Sequence, residues 1–150
     1  MREIRFRGKR VDNGEWHYGG YFKAADGTTW ILGDDGISYR PDAIEVDPTT
    51  VGQYIDWEDV NKVKIFTGDI VKADLYEPGY MYVAHPYVCE VVFKGFCYML
   101  KVIGHADKSG FKPGKVPKIP DLMQYSHINL AENLTVIGGT TRNCDAEKDR

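Results

Sequence analysis

Near the N-terminus, cations stand at every second position, at Arg5, Arg7 and Lys9. An extended strand turns alternate side chains to the same side, so these cations share one face. The residues that can lie beside them follow later in the chain: Trp16, Tyr18, Tyr39 and Arg40. Cations that track a phosphate backbone beside rings that stack on bases are typical of single-stranded nucleic-acid binding. The pattern therefore predicts a contact face for nucleic acid or for another partner.

The same strand can also be interpreted as a solvated face. Arginines on an exposed strand discourage pairing with other chains, which is a reason for their presence without any ligand. The net charge of −3 and the shortness of the basic segment favour this simpler interpretation.

A second basic segment lies within residues 104–121, where glycines and prolines predict a long loop. Residues 108–118 contain no acid and hold four lysines: Lys108, Lys112, Lys115 and Lys118. A basic loop can contact phosphates or an acidic protein surface, and a solvated loop is the alternative. We treat these lysines as candidate contact residues together with the basic strand.

No catalytic or metal-binding motif has its required spacing in this chain. The histidines are scattered, Cys89 and Cys97 lack zinc spacing, and there is no G-x-S-x-G or phosphate-binding glycine loop. A catalytic site would have to be assembled by the fold from distant residues such as Asp69, His85 and Cys97. We therefore expect a protein that is not an enzyme and uses no cofactor or metal.

The composition favours a mainly β fold with few short helices. The 150 residues include 10 Tyr and 16 Gly, and 43% of the chain is hydrophobic, which suits strands joined by turns around a core. The three cysteines are an odd number, which argues against a secreted disulfide framework. The start has no apolar leader, and no apolar run reaches the ~20 residues of a membrane helix. We expect a soluble cytoplasmic protein with no membrane partner.

Turn signals divide the N-terminal part into an antiparallel meander with strands at 3–11, 15–23, 28–32 and 37–39. Alternation selects the following core candidates: Ile4, Phe6, Trp16, Tyr18, Trp30 and Leu32. Residues 55–62 have no clean period and predict a loop or a single helical turn. The dipeptide Gly68–Asp69 predicts a tight turn into a strand, because glycine adopts the unusual φ and aspartate can bond its own backbone.

The C-terminal part predicts a hairpin between 88–93 and 96–103, joined by Lys94 and Gly95. This register places Phe93 opposite Phe96, and it puts Cys89 and Cys97 on opposite faces, where they cannot form a disulfide. A last strand is predicted at 134–138. The predicted domains are an N-terminal β unit at 1–52, a C-terminal unit at 53–139, and a polar, disordered tail at 140–150.

Several segments together resemble the YopX family, whose members are mostly encoded by phages and prophages. They are REIRFRGK at 2–9 with GEW at 14–16, VDP at 46–48 with VGQY at 51–54, IF at 65–66 with GDIV at 68–71, and VIG at 136–138. At 56–63 the chain departs from the family. Members commonly have a D-x-N-G turn there, whereas this chain has DWEDVNKV.

The resemblance implies a C-terminal unit similar to a small SH3-like β-barrel and makes homo-oligomers plausible. It carries no established activity, so no catalytic residue is transferred to this chain. We expect a phage- or prophage-encoded accessory protein of the bacterial host cytoplasm that acts as a non-enzymatic, oligomeric interaction module. The alternative is a nucleic-acid-binding protein that uses the basic strand and the lysine-rich loop.

Overall fold

The computed structural model describes residues 3–33, 42–76, 84–107, 110–111, 125–128 and 131–139. Antiparallel strands dominate these residues, and a 3-10 turn lies at Pro48–Thr50. They divide into two compact units, the first ending at Trp57 and the second beginning at Glu58. The predictions of a mainly β chain and of an N-terminal antiparallel meander are confirmed. The domain limits inferred from the sequence stay a prediction.

The first unit contains the strands β1 (Phe6–Lys9), β2 (Trp16–Lys23), β3 (Thr29–Gly33) and β4 (Ala43–Glu45), and all but the last residue of β5 (Gly52–Glu58). They lie in the order β4-β3-β2-β1-β5, so four strands form the meander and β5 returns to pair with β1. The 3-10 turn leads into β5, and the Asp47 carboxylate caps it by accepting a 2.8 Å hydrogen bond from the Thr49 amide. The strand predicted at 37–39 lies outside the described residues.

The buried face of the first unit is not the predicted one. Ile31 is fully buried and Thr29 nearly so, whereas Leu32 is 38% exposed and Ile4 is 72% exposed. The remaining core candidates are half-buried: Phe6, Trp16, Tyr18 and Trp30. The core prediction is therefore wrong for Ile4 and Leu32. Trp30, Ile31 and Leu32 are consecutive, so both faces of β3 carry apolar side chains and alternation does not reveal which one is buried.

Residues 55–58 continue β5 as a strand, so the prediction of a loop across 55–62 is wrong for its first half. Asp56 has a positive φ of 63° inside this strand. A left-handed residue interrupts the alternation of faces, which explains why the sequence shows no period of two here. The chain then turns at residues 60–61.

The second unit contains β6 (Lys64–Phe66), β7 (Asp69–Tyr76), β8 (Ala84–Lys94), β9 (Cys97–Asp107), β10 (Gly110–Phe111), β11 (Tyr125–His127) and β12 (Glu132–Gly139). Its sheet runs β10-β9-β8-β7-β12, and β11 also pairs with β9. The last strand predicted at 134–138 falls within β12. The SH3-like barrel is not confirmed, because the ends of this strand order do not pair with each other among the described residues. The tail at 140–150 lies outside those residues.

The hairpin of β8 and β9 has a register different from the predicted one. Phe93 pairs with Tyr98 and Lys94 with Cys97, so the two-residue turn is Gly95 and Phe96. Gly95 has a φ of 67°, a value that glycine adopts without strain, and this conformation fixes the turn one residue later than predicted. Cys89 and Cys97 nevertheless lie on opposite faces, as predicted, and both thiols are free.

The predicted turn before β7 is present. Gly68 has a φ of 85°, and its amide donates to the Val91 carbonyl at 2.8 Å. The Asp69 side chain is completely buried, and its Oδ2 accepts a 2.9 Å hydrogen bond from the Phe66 amide. Asp69 therefore closes the turn with its own carboxylate, a structural role that agrees with the turn chemistry seen in the sequence.

Candidate functional site

Cations and aromatic rings are interleaved on one face of β1 and β2. The two strands pair with Arg7 opposite Tyr18 and Lys9 opposite Trp16, so the cations of β1 lie among the rings of β2. The guanidinium carbon of Arg7 lies 4.3 Å from the centre of the Trp16 ring, and Lys9 Nζ lies 5.4 Å from it. The guanidinium carbon of Arg5 lies 5.4 Å from the Tyr18 ring centre. We call these five side chains the cation–aromatic ladder.

The members of the ladder differ in their exposure. Arg7 is only 2% exposed, and arginine remains charged in proteins. Its stacking on Trp16 offsets part of the cost of burial, because a desolvated cation–π contact contributes about 2 kcal/mol. Arg7 therefore holds β1 against β2 and does not present its charge to a ligand. The Arg5 side chain is 28% exposed and Lys9 is half-buried, so these two are the cations that a partner can touch.

Acidic groups lie next to the basic strand. Glu3 is 3.7 Å from the Arg5 guanidinium, and Arg10 donates two hydrogen bonds to Asp12, at 2.9 and 2.6 Å. The hydrogen bond with Arg10 lowers the pKa of Asp12, and the same bond raises the pKa of Arg10. These acids reduce the positive field that the strand presents to a polyanion.

A shallow groove lies beside β4 in the same unit. It has a volume of about 280 Å³ and is lined by Val11, Asp12, Trp30, Ala43, Ile44 and Glu45. Small-molecule sites commonly enclose roughly 300–1,000 Å³. One of the two acids in the lining, Asp12, is already bound by Arg10. The groove is therefore slightly smaller than a usual small-molecule site, and one of its two acids is engaged within the chain. We assign no ligand to it.

The turn end of the β8–β9 hairpin carries two exposed phenylalanines, whereas the predicted register placed them opposite each other on one apolar face. Phe96, in the turn, is fully exposed at 102%, and Phe93, near the end of β8, is 63% exposed. The Phe93 ring contacts Tyr98 edge-on, with ring centroids 5.3 Å apart. We call Phe93 and Phe96 the aromatic tip. Two solvent-exposed phenyl rings at one end of a hairpin offer an apolar contact surface.

The candidate catalytic residues do not meet. Asp69 begins β7 and is buried, whereas His85 pairs with Leu75 near the other end of that strand. Roughly 20 Å of strand lies between Asp69 and Leu75, at about 3.4 Å per residue. Cys97 follows the hairpin turn instead. The lysine loop candidates Lys108, Lys112, Lys115 and Lys118 lie outside the described residues.

A histidine other than His85 lies beside Cys97. The Cys97 Sγ is 4.0 Å from His127 Nδ1 and 3.7 Å from the Lys94 carbonyl oxygen. β11 brings His127 there by pairing with β9, so that His127 stands opposite Met99. Sequence reasoning missed this pair because the two residues belong to strands that are distant in the chain, and no spacing rule links them.

Within the described part of the chain, no three His, Cys, Asp or Glu side chains are grouped so that they could hold a metal ion. None of the helices found there has the length and apolar character needed to span a bilayer. No family model matches the chain, and a search of curated proteins finds no match.

Proposed function

We propose that this chain is a YopX-like accessory protein of a phage or prophage, acting in the host cytoplasm as a non-enzymatic interaction module that self-associates. The sequence segments that resemble that family support the YopX-like assignment. The aromatic tip supports self-association. The separation of Asp69, His85 and Cys97 is consistent with an interaction role, because the catalytic trio that the sequence allowed does not assemble.

The aromatic tip is the observation that carries the proposal. Phe93 and Phe96 are among the most exposed apolar side chains in the described part of the chain. Covering a phenylalanine side chain contributes about 1.5–3 kcal/mol, so two rings per chain provide a substantial driving force for association. Two-fold association places the same surface of each copy in contact, which a hairpin tip can satisfy with its own rings.

Size-exclusion chromatography with light scattering tests this proposal. We expect the parent chain to have at least twice the monomer mass of 17.0 kDa at micromolar concentration. The double variant Phe93→Ser, Phe96→Ser should elute as a monomer, because it removes the apolar area without touching the core. Val60→Ser is the matched control, since Val60 is also an exposed apolar residue of the second unit, at 58%. A parent chain that stays monomeric, or an oligomer unchanged by the double variant, would contradict the proposal.

The cation–aromatic ladder supports a second candidate function, the binding of single-stranded nucleic acid. Arg5 and Lys9 remain accessible beside Tyr18 and Trp16, which combines charge for phosphates with rings for stacking. The lysines at 108, 112, 115 and 118 would extend the positive surface. The burial of Arg7 and the neighbouring acids make this candidate the weaker of the two.

Fluorescence anisotropy with a labelled single-stranded oligonucleotide, measured between 20 and 200 mM salt, tests the second candidate. Each phosphate contact to a single strand contributes about 0.7 to the slope of log K against log salt. The variant Arg5→Ala, Lys9→Ala should therefore lower the slope by about 1.4 if both residues contact phosphates. The matched control is Lys72→Ala, Lys101→Ala, which removes two exposed lysines of the second unit. Absence of binding at 20 mM salt, or equal slopes for both double variants, would exclude the ladder as a nucleic-acid-binding surface.

A further inference from the structure

The pair formed by Cys97 and His127 has the geometry of a nucleophile beside a base. The two side chains lie diagonally across β9 and β11 on the same face, because His127 stands opposite Met99 and Cys97 precedes Met99 by two positions. The Sγ–Nδ1 distance is 4.0 Å. Cys97 is half-buried and His127 is exposed, so a small reagent can reach both. We infer that Cys97 is a thiol-exchange site for low-molecular-weight disulfides, with His127 as the base that accepts its proton.

The charged side chains on the face of Cys97 include two lysines and one acid. Lys94 is directly opposite Cys97 in the β8–β9 pairing, and Glu90 is opposite Lys101 further along the same face. The nearest charged side chain in the register is thus cationic, and the acid has a lysine across from it. Reactive cysteines are found in partly exposed surroundings next to lysine, arginine or histidine.

The exchange requires only the Cys97 thiol, His127 and the small disulfide. His127 Nδ1 accepts the Sγ proton, and the thiolate attacks one sulfur of the disulfide. A bond forms between Cys97 Sγ and that sulfur as the original sulfur–sulfur bond breaks. The departing thiolate takes the proton from His127. The protein gains a mixed disulfide, and one molecule of small thiol is released.

Cys89 provides an internal contrast on the opposite face of the same sheet. It is completely buried, and burial raises the pKa of its thiol to about 12. A buried thiol that keeps its proton is neither reachable nor nucleophilic. The fold therefore separates one inert cysteine from one cysteine that is placed for exchange.

The test uses the full chain in a Cys144→Ser background, so that Cys89 and Cys97 are the cysteines that remain. The probes are 5,5′-dithiobis(2-nitrobenzoic acid), followed by absorbance, and glutathione disulfide, followed by mass spectrometry. We expect one equivalent of released thiol in the fast phase, with the mixed disulfide on Cys97. Cys97→Ser should remove this phase, and Cys89 should react only after unfolding in guanidinium.

His127→Gln should slow the reaction at pH 7 by about tenfold or more, since positioned general bases contribute 10²–10⁴-fold in enzymes. The difference should vanish at pH 9.5, because hydroxide then removes the thiol proton without help. His105→Gln is the matched control, as His105 is an exposed histidine of β9 whose ring contacts Tyr87. If His127→Gln and His105→Gln react at equal rates at pH 7, or if the deficit of His127→Gln persists at pH 9.5, the role of His127 is overturned. A fast phase that survives Cys97→Ser overturns the site itself.

Discussion

Replacing Gly19 with alanine is expected to lower the free energy of unfolding of the first unit by about 4 kcal/mol, a loss that few single substitutions cause. A Cβ added at Gly19 would lie 1.7 Å from the Leu32 carbonyl oxygen and 2.7 Å from the carbonyl carbon. No side-chain rotamer relieves a clash between Cβ and backbone. The strands β2 and β3 would have to separate at the point where Gly19 pairs with Gly33.

The backbone conformation adds to this loss. Gly19 has a φ of 153°, a region that residues with a side chain rarely adopt, and such strain costs of order 1–3 kcal/mol. Gly19 also pairs with Phe6 of β1, so a displacement there disturbs both neighbours of β2. The clash and the strain act on the same residue, which is why the expected effect is large for the addition of one methyl group.

The neighbouring glycine offers a matched control. A Cβ at Gly20 would meet no heavy atom within 4 Å, so Gly20→Ala should change the stability by less than about 1 kcal/mol. Urea unfolding followed by tryptophan fluorescence measures both variants, because all three tryptophans of the chain lie at or before Trp57, in the first unit. Equal urea midpoints for the two variants would show that the backbones of β2 and β3 do not approach each other as closely at Gly19 as the structure indicates.

The sequence predicted the parts of the fold that depend on local chemistry. The meander was predictable because its turns are rich in glycine, asparagine and aspartate. The turn at Gly68–Asp69 was predictable because its geometry depends on these two residues and not on distant contacts. The last strand followed from a run of β-forming residues. The buried face of β3 was not predictable in this way. Trp30, Ile31 and Leu32 satisfy either orientation, and the choice depends on which neighbouring strands cover the sheet.

The candidate sites were predictable only in part, for the same reason. The alternation of Arg5, Arg7 and Lys9 revealed their common face, but the burial of Arg7 depends on Trp16 stacking across the strand pair. The aromatic tip depended on a shift of one residue in a turn, which the positive φ of Gly95 decides. A glycine at the first turn position was the available signal, since primed turns favour glycine where φ is positive.

The segment at 56–63, which shows no clean period in the sequence, is organised by one buried carboxylate, that of Asp59. Asp59 is 5% exposed, and its Oδ1 accepts hydrogen bonds from the Asn61 and Val63 amides at 2.7 and 2.9 Å. Its Oδ2 accepts a 3.0 Å bond from the Val136 amide of β12. The Val60 amide donates to the Leu134 carbonyl in the same region. One carboxylate therefore shapes the turn and fastens it to a strand that lies far away in the chain.

Removing this carboxylate should destabilise the second unit strongly. Hydrogen bonds to charged groups contribute about 1.5–3 kcal/mol each, and buried donors left without acceptors add a desolvation cost. Because the contributions are not additive, we expect Asp59→Ala to lower the free energy of unfolding by about 4 kcal/mol. Asp59→Asn should lose about 2 kcal/mol, since its oxygen can still accept from Asn61 and Val63 while its amide group opposes the Val136 amide.

Hydrogen exchange with mass spectrometry locates the effect, and urea unfolding followed by circular dichroism measures its size. In Asp59→Asn, protection should fall at the Val136 amide more than at the Asn61 and Val63 amides. Glu58→Gln is the matched control, because Glu58 is the adjacent acid and is exposed, so its loss should stay within about 0.5 kcal/mol. If Val136 kept its protection in Asp59→Asn, the link between the turn and β12 would have to come from the backbone bond of Val60 alone. The Asp59 carboxylate would then shape the turn without stabilising its contact with β12.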